Sequence, residues 1–495
     1  MVLADAARDG DSPGPQRSRA VRGGRRRPPD LAGTLLSAPR HTPLVPLAPA
    51  AAVCLAVAAG SLALPTALGY DPYAWLVWGR ELAHLDLATT GGPSFKPLPA
   101  LVTAPLGDLA PTAWALIVRT TGLLGVVLAF RVAARLAGPL AGATAALAAA
   151  LAEGQVRNGL QGYSEPLLIC LALGAVDAHL AGRTRLAFWI GAIGALVRPE
   201  LWLLVLLYAA WRWRADPGFR PALAAGVAVV PALWIGLDWW GSGDLLHGGD
   251  VARSTPPESA ALTDRPALTV VRRAAELVTA PVLAAAVAAA ALAVRRRDRV
   301  VTALAAAAGG WVAAVAVMAE AGFTGNIRYL AVPAGLLAVL GGVGTGWLVA
   351  AVPPARRGLA AGAAAALLLA FAFVPAREDW RWLSVAREQH DQLGELRDAT
   401  ELAGGRGAVL ARGRPAVNPS VATALAWELE VPLARVQATW GSTARRPHWR
   451  PPAVVFRAPP RFGGSPPSLA GAGALRPIGR AGRWHVSLAS GRVRH

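Results

Sequence analysis

Lysine is almost absent from this chain. Of 49 Lys and Arg residues only Lys96 is lysine, so arginine carries the positive charge. Charged residues of both signs are scarce as well, at 16% of the sequence, below the share usual in soluble domains. The two cysteines, Cys54 and Cys170, both fall inside apolar runs, which excludes a disulfide framework and argues against a cysteine metal site. No repeat with a period of roughly 20–50 residues is present, and no Walker, Rossmann or nucleophile-elbow motif.

What the chain has instead is apolar length. Hydrophobic residues make up 54% of its 495 positions. They gather in runs at about 43–64, 110–130, 138–152, 166–181, 186–197, 200–211, 221–237, 276–294, 301–319, 329–351 and 358–375. These predict an all-α polytopic membrane bundle of about eleven transmembrane helices, although several runs fall short of the roughly 20 residues a crossing needs. The net charge of +19 would point to nucleic acid in a soluble protein. Here the arginines lie in short loops between apolar runs, which reads as a topology signal, and no nucleic-acid partner is expected.

Residues 1–42 are polar and rich in Pro, Gly and Arg, and are expected to form a disordered cytoplasmic tail. The run at 43–64 is too long for a signal-peptide core and reads as a retained anchor. The eight arginines before it place Asp71 outside. Threading the remaining runs from there puts 21 Lys and Arg residues on the inner side against nine on the outer, as the positive-inside rule requires. The expectation is a multi-pass plasma-membrane protein with a membrane domain at 43–375 and an amphipathic first extracytoplasmic loop at 66–108. Residues 376–495 then form a small extracytoplasmic α/β C-terminal domain. It opens with the amphipathic stretch AREDWRWLSVAREQHDQLGELRDATEL. Strand-like runs follow at Ala408–Ala411, Val454–Arg457 and Trp484–Leu488, with a helical piece near Val421–Leu429.

The stretch Gly69–Pro105 is longer and more aromatic than a plain connector needs to be. Asp71 comes a few residues after the first span, at a depth that suits a general base. As Tyr70-Asp71-Pro72 it reads equally as the N-cap of a helix starting at Pro72. Tyr73, Trp75, Leu76, Trp78, Leu82 and Leu85 would let that helix lie flat at the interface, with Arg80, Glu81, His84 and Asp86 as its polar members. Lys96, in GGPSFKPLP, is either a point-charge partner for phosphate or a snorkelling anchor.

Three more charge groups are expected on the outer side. In EGQVRNGLQGYSEP, Arg157 and Glu165 face the same side as Asp71, though Ser164-Glu165-Pro166 also reads as a simple helix start. Arg198-Pro199-Glu200 sits between short apolar segments, where such charges favour function; at i and i+2 they would not face each other on a helix and would need other partners. Arg198 would hold a phosphate and Glu200 a hydroxyl. In EAGFTGNIRY, Arg328 could make a bidentate phosphate contact or, with Tyr329, an interfacial anchor. The loop DWWGSGDLLHGGD at 238–250 has three Asp and His247, which could hold a divalent cation, but its spacing fits no ligand signature, so no metal residues are assigned.

The opening loop, together with GYSEPLLICLALGAVDAHLAGRTRLAFWIGAIGALVRPELW, resembles actinobacterial-type membrane proteins of the C-type glycosyltransferase superfamily, over about residues 65–215. The superfamily includes polyprenyl-phosphate-sugar mannosyl- and arabinosyltransferases and protein O-mannosyltransferases. The resemblance implies that an acid in the first outer loop is the catalytic base, the place occupied here by Asp71. Many members carry a paired acidic motif there, so Glu81 or Asp86 could share the role. The implied partners are the lipid bilayer, a polyprenyl-phosphate-linked sugar and a cell-envelope acceptor. Asp71 would deprotonate the acceptor hydroxyl, which attacks the anomeric carbon with inversion while Lys96, Arg198 or Arg328 stabilises the departing phosphate. A lipid or solute transporter, or a non-catalytic scaffold of envelope assembly, are the other readings; a transporter would more often show inverted repeats, which are absent here.

Overall fold

A computed structural model describes residues 45–254, 256, 258–438, 453–458 and 475–489; the expected tail at 1–42 lies outside them. Each of the eleven apolar runs forms one helix. The first is α1 (Leu47–Ser61), and two short helices of the long loop follow, α2 (Tyr70–Ala83) and α3 (Pro97–Thr103). Next come α4 (Ala110–Ala137), α5 (Pro139–Ala150), the brief α6 (Gln155–Leu160) and α7 (Glu165–Leu180). Then follow α8 (Thr184–Ala195), α9 (Leu201–Ala215), α10 (Arg220–Ser242), α11 (His247–Arg253) and α12 (Pro266–Ala275). The later apolar runs give α13 (Ala280–Arg296), α14 (Arg299–Glu320), α15 (Ala331–Ala351) and the long α16 (Arg357–Leu402).

Five helical segments among the described residues are long and apolar enough to cross a membrane alone, and a sixth arises if α12 and α13, bent by 101°, act as one. The others, such as the 12-residue α5 and α8, are too short to cross unaided and gain their place by packing on longer neighbours.

At the centre stands α15, with 72% of its apolar window buried, whereas no residue in that of α16 is buried. Glycines explain the close fit of α15. A Cβ on Gly342 would run into the backbone carbonyl of Ala141, and one on Gly344 into that of Ala285. Small residues thus let α5 and α13 approach backbone to backbone, the packing expected where lipid offers no hydrophobic drive. Exposed Leu359, Leu369, Phe373 and Val374 on α16 suit a lipid-facing helix and would be a liability in water.

Charges inside the helices are compensated. Arg119 of α4 donates from Nη1 to the Ser61 carbonyl at 2.6 Å and from Nη2 to Thr66 Oγ1 at 3.0 Å, closing the C-terminal end of α1. Asp177 lies between Arg131 at 3.1 Å and Arg135 at 3.2 Å.

Beyond its apolar half, α16 runs unbroken through Pro375 into the C-terminal layer. There α17 (Gly405–Ala411), β1 (Ala416–Val417), α18 (Ala422–Glu428), β2 (Ala453–Arg457), β3 (Leu475–Ala481) and β4 (Trp484–Ala489) follow. The sheet has the order β1-β2-β4-β3, with β1 parallel to β2 and the other pairs antiparallel. The strand expected at Ala408–Ala411 is instead the end of α17, since Gly404 in the left-handed region starts a new helix that buries Val409. The apolar face of α2 meets protein rather than lipid. Trp75, Leu76 and Trp78 are buried, and Arg80 donates to the carbonyls of Trp427 and Val431, both at 3.3 Å, locking α2 beneath the C-terminal layer.

Candidate active site

Asp71 is not the N-cap expected from Tyr70-Asp71-Pro72. The cap position of α2 is Gly69, with extended backbone and no side-chain cap bond, and Asp71 stands in the first turn. Its carboxylate turns elsewhere: Oδ2 accepts from Arg328 Nη2 at 2.8 Å. Arg328 sits in the short 3₁₀ turn Ile327–Leu330 that leads into α15, and Asn326 Oδ1 accepts from its backbone N–H at 3.0 Å. Its guanidinium carbon lies 4.1 Å from the centre of the Tyr163 ring.

Two residues beyond Tyr163, Glu165 opens α7 and points into the same region. Its Oε1 accepts from Arg198 Nη2 at 2.9 Å, in a pair with side chains only 2% and 5% exposed. Arg198, Pro199 and Glu200 form the break between α8 and α9 rather than helix. Because the chain turns there, Arg198 also meets Glu200 at 3.5 Å, a pairing that helical spacing would have forbidden. The Arg198 guanidinium stacks on Tyr329 at 4.3 Å, one residue beyond Arg328.

Lys96 completes the group. Its Nζ donates to Ser164 Oγ at 3.2 Å and lies 4.9 Å from the Trp75 ring centre. Burial lowers its ammonium to about 8, helped by Arg198 and Arg328 and opposed by Glu165 and Asp71. Three acids, Asp71, Glu165 and Glu200, thus meet three bases, Lys96, Arg198 and Arg328. Elements as far apart in sequence as α2 and the turn before α15 supply them.

The group has hydrogen-bonding capacity left over. Among the described residues, Arg328 Nη1, Arg198 Nε, Glu165 Oε2 and Glu200 Oε2 are buried without a hydrogen-bond partner. Unpaired polar atoms of this kind are costly to bury without a polar partner. A small, partly open cavity reaches Glu165 and Arg328, lined by the polar Glu153, Gln155, Arg157 and Asn158 and the apolar Ile169 and Leu277.

Glu81 stands apart. Ten residues along α2, it lies about 15 Å from Asp71 by helical rise. Its Oε2 accepts from the Ala88 N–H at 2.9 Å, bracing the turn after the helix, and burial pushes its carboxyl up to about 7. The structure also shows what the sequence reading had not assigned: Tyr163, Ser164, Tyr329 and Trp75 all touch the charged group. The signal was an aromatic or hydroxyl residue next to a charge at the end of an apolar run, in Tyr163-Ser164-Glu165 and Arg328-Tyr329.

The histidine of the 238–250 loop finds one acid: His247 Nδ1 is 3.1 Å from Asp238 Oδ1. Among the described residues no three His, Cys, Asp or Glu side chains gather as a metal cage.

No family model matches the chain, and no curated protein matches it. Solved structures do. ArnT from Cupriavidus metallidurans bound to undecaprenyl phosphate superposes with a TM-score of 0.54 over 89% of this chain and 97% of that one, at 15% identity. The same protein in the apo state gives 0.52 at 17% identity, with the same coverage. At these identities the likeness is one of fold. The chain is a multi-pass membrane protein with the fold of ArnT.

Proposed function

We propose that this protein is a membrane glycosyltransferase that moves a sugar from a polyprenyl-phosphate donor to a cell-envelope acceptor, a glycan, lipid or protein. The observation that carries the reading is the meeting of Asp71, Lys96, Glu165, Arg198, Glu200 and Arg328 in one group, of which Glu165 and Arg328 line a cavity, with donors left unpaired. The fold supports it, since a solved structure of like fold holds undecaprenyl phosphate, a lipid of the donor's class. Leu147, Leu151, Val282 and Leu368, with Thr279, line a shallow, mostly apolar pocket whose residues adjoin Ala152 and Leu277 of the cavity along the chain, and a prenyl chain would lie along this side.

In the reaction Arg328 holds Asp71 by Oδ2, which leaves Oδ1 for the acceptor hydroxyl. Asp71 takes the hydroxyl proton as the acceptor oxygen bonds to the anomeric carbon. The bond from that carbon to the phosphate oxygen breaks on the opposite face, its electron pair passing to the phosphate, so the sugar inverts. Arg328 Nη1, Lys96 and Arg198 offset the charge that develops there. Glu165 and Glu200 keep the cations oriented and offer acceptors to sugar hydroxyls. In this reading the tail at 1–42 is cytoplasmic, residues 43–375 form the membrane domain, and 376–495 stand on the outer side over the site. The sugar is a hexose or pentose, with mannose and arabinose the first to try.

Purified protein incubated with radiolabelled polyprenyl-phospho-sugars and envelope acceptors tests the reading. Transfer of label to an acceptor supports it. Binding of none of these donors, or accumulation of donor across vesicles without transfer, would replace it with a scaffold or a transporter.

A further inference from the structure

The ring of Tyr163 is the uncharged surface on which Arg328 rests, and its own seat is unusual. A Cβ on Gly69 would fall 2.7 Å from both Cζ and Oη of Tyr163, closer than real Cβ atoms come. The backbone of Gly69 has φ −80° and ψ −175°, which any residue can adopt, so glycine is required there for space rather than for conformation. The Gly69 N–H donates to the Gln161 carbonyl at 2.8 Å, pinning the start of α2 to the turn that carries Tyr163. From this seat the ring faces the Arg328 guanidinium at 4.1 Å, and Arg328 reaches Asp71 with one arm. The other arm, Nη1, remains unpaired.

Stacking on an aromatic face is one way to hold the plane of a guanidinium carried on a flexible side chain. A carboxylate in that place would hold it more strongly but would engage both arms in a bidentate pair. An aromatic face fixes the plane and consumes no donor. Burial pushes the Tyr163 phenol up to about 12, so the ring brings no competing charge at neutral pH. We propose that Tyr163, seated against Gly69, is a positioning residue that holds Arg328 with one arm on Asp71 and the other open to the phosphate of the lipid donor. The inference rests on the glycosyltransferase reading and adds to it the residue that orients the leaving-group contact.

The test is binding of labelled undecaprenyl phosphate to the full chain in nanodiscs, comparing wild type with Tyr163→Leu, Tyr163→Phe, Gly69→Ala and the double variant Tyr163→Leu/Gly69→Ala. Loss of the cation–ring contact should raise the Kd about tenfold in Tyr163→Leu. Gly69→Ala, which pushes the ring away without straining the backbone, should do the same, and the double variant should be no worse than either single one. Tyr163→Phe keeps the ring and should retain most of the affinity that leucine loses. A residue that only helped folding would lower the number of binding sites and leave the Kd of the remainder unchanged. Kd values for Tyr163→Leu and Gly69→Ala within twofold of a binding-competent wild type would overturn the positioning role alone. Wild type that binds no undecaprenyl phosphate would overturn the functional reading and the inference with it.

Discussion

Replacing Arg198 with methionine probes the buried electrostatics most directly. Arg198 serves two carboxylates at once, Glu165 at 2.9 Å and Glu200 at 3.5 Å, and all three side chains are at most 5% exposed. Removing one partner of a buried ion pair typically costs about 3–5 kcal/mol, because the remaining charge has neither water nor a counterion. The lower end applies here. Glu165 still feels Arg328 and Lys96, whereas among the described residues the only ion-pair partner of Glu200 is Arg198. Arg198→Met should therefore lose about 3 kcal/mol, with Glu200 the larger source. Adding Glu200→Gln should recover about half, since a neutral amide needs no counterion. Denaturant or SDS titration of the full chain in mixed micelles reads both values. A single variant within about 0.5 kcal/mol of wild type, or a double variant no more stable than the single one, would refute the reasoning.

Other outcomes follow from the same structure. Lys96 is lowered by burial from 10.5 to about 8, so the folded protein gives up this proton more readily than the unfolded chain. Protonated Lys96 thus costs stability below about pH 8, a cost that fades as the pH rises toward the unfolded value. Its positive charge goes as well, so donor binding should weaken as pH passes about 8, and Lys96→Arg should abolish that limb of a Kd-against-pH curve. Glu81 has the opposite linkage, raised from 4.5 to about 7, so its contribution is intact below the unfolded value and is lost as pH rises through that window. In thermal melts Glu81→Gln, which can still accept from Ala88, should match wild type near pH 4 and exceed it above about pH 7. At the helix contact, Gly344→Leu must push α15 away from the Ala285 carbonyl, and should lower stability by about 1–3 kcal/mol in the same titration.

Helix positions were legible because apolar length is local, whereas the number of crossings was not: five of the described helical segments, or six with the bent pair, are long enough to span alone. Each run from 43–64 to 358–375 became a helix that starts within four residues of its expected start, although α4 and α10 run five to seven residues past their expected ends and α16 continues past Pro375. Partnerships were not legible. Arg328 lies 257 residues from Asp71, and no local pattern joins them. The N-cap expectation for Asp71 failed because its carboxylate has a stronger, charged partner than the helix's own N–H groups. Treating Arg198 and Glu200 as helical made them strangers, whereas the break at Pro199 brings them together. What covers α2 was not legible either: an apolar face with Trp75 and Trp78 reads alike whether lipid or the rest of the protein covers it, and here it is the protein. Tyr163 escaped notice because its value lies in Gly69, whose missing side chain says nothing until the ring is seen against it.

If Asp71 is the base of a glycosyl transfer, its neutral isostere should still bind the donor but turn it over slowly. Wild type and Asp71→Asn, reconstituted in equal amounts with the polyprenyl-phospho-sugar and acceptor that wild type uses, give the most direct test. Asparagine keeps the shape and can still accept from Arg328, so the donor Kd should change little. A general base contributes roughly 10²–10⁴-fold, and turnover should fall by about that factor. Turnover within threefold of wild type at unchanged donor affinity would contradict the account.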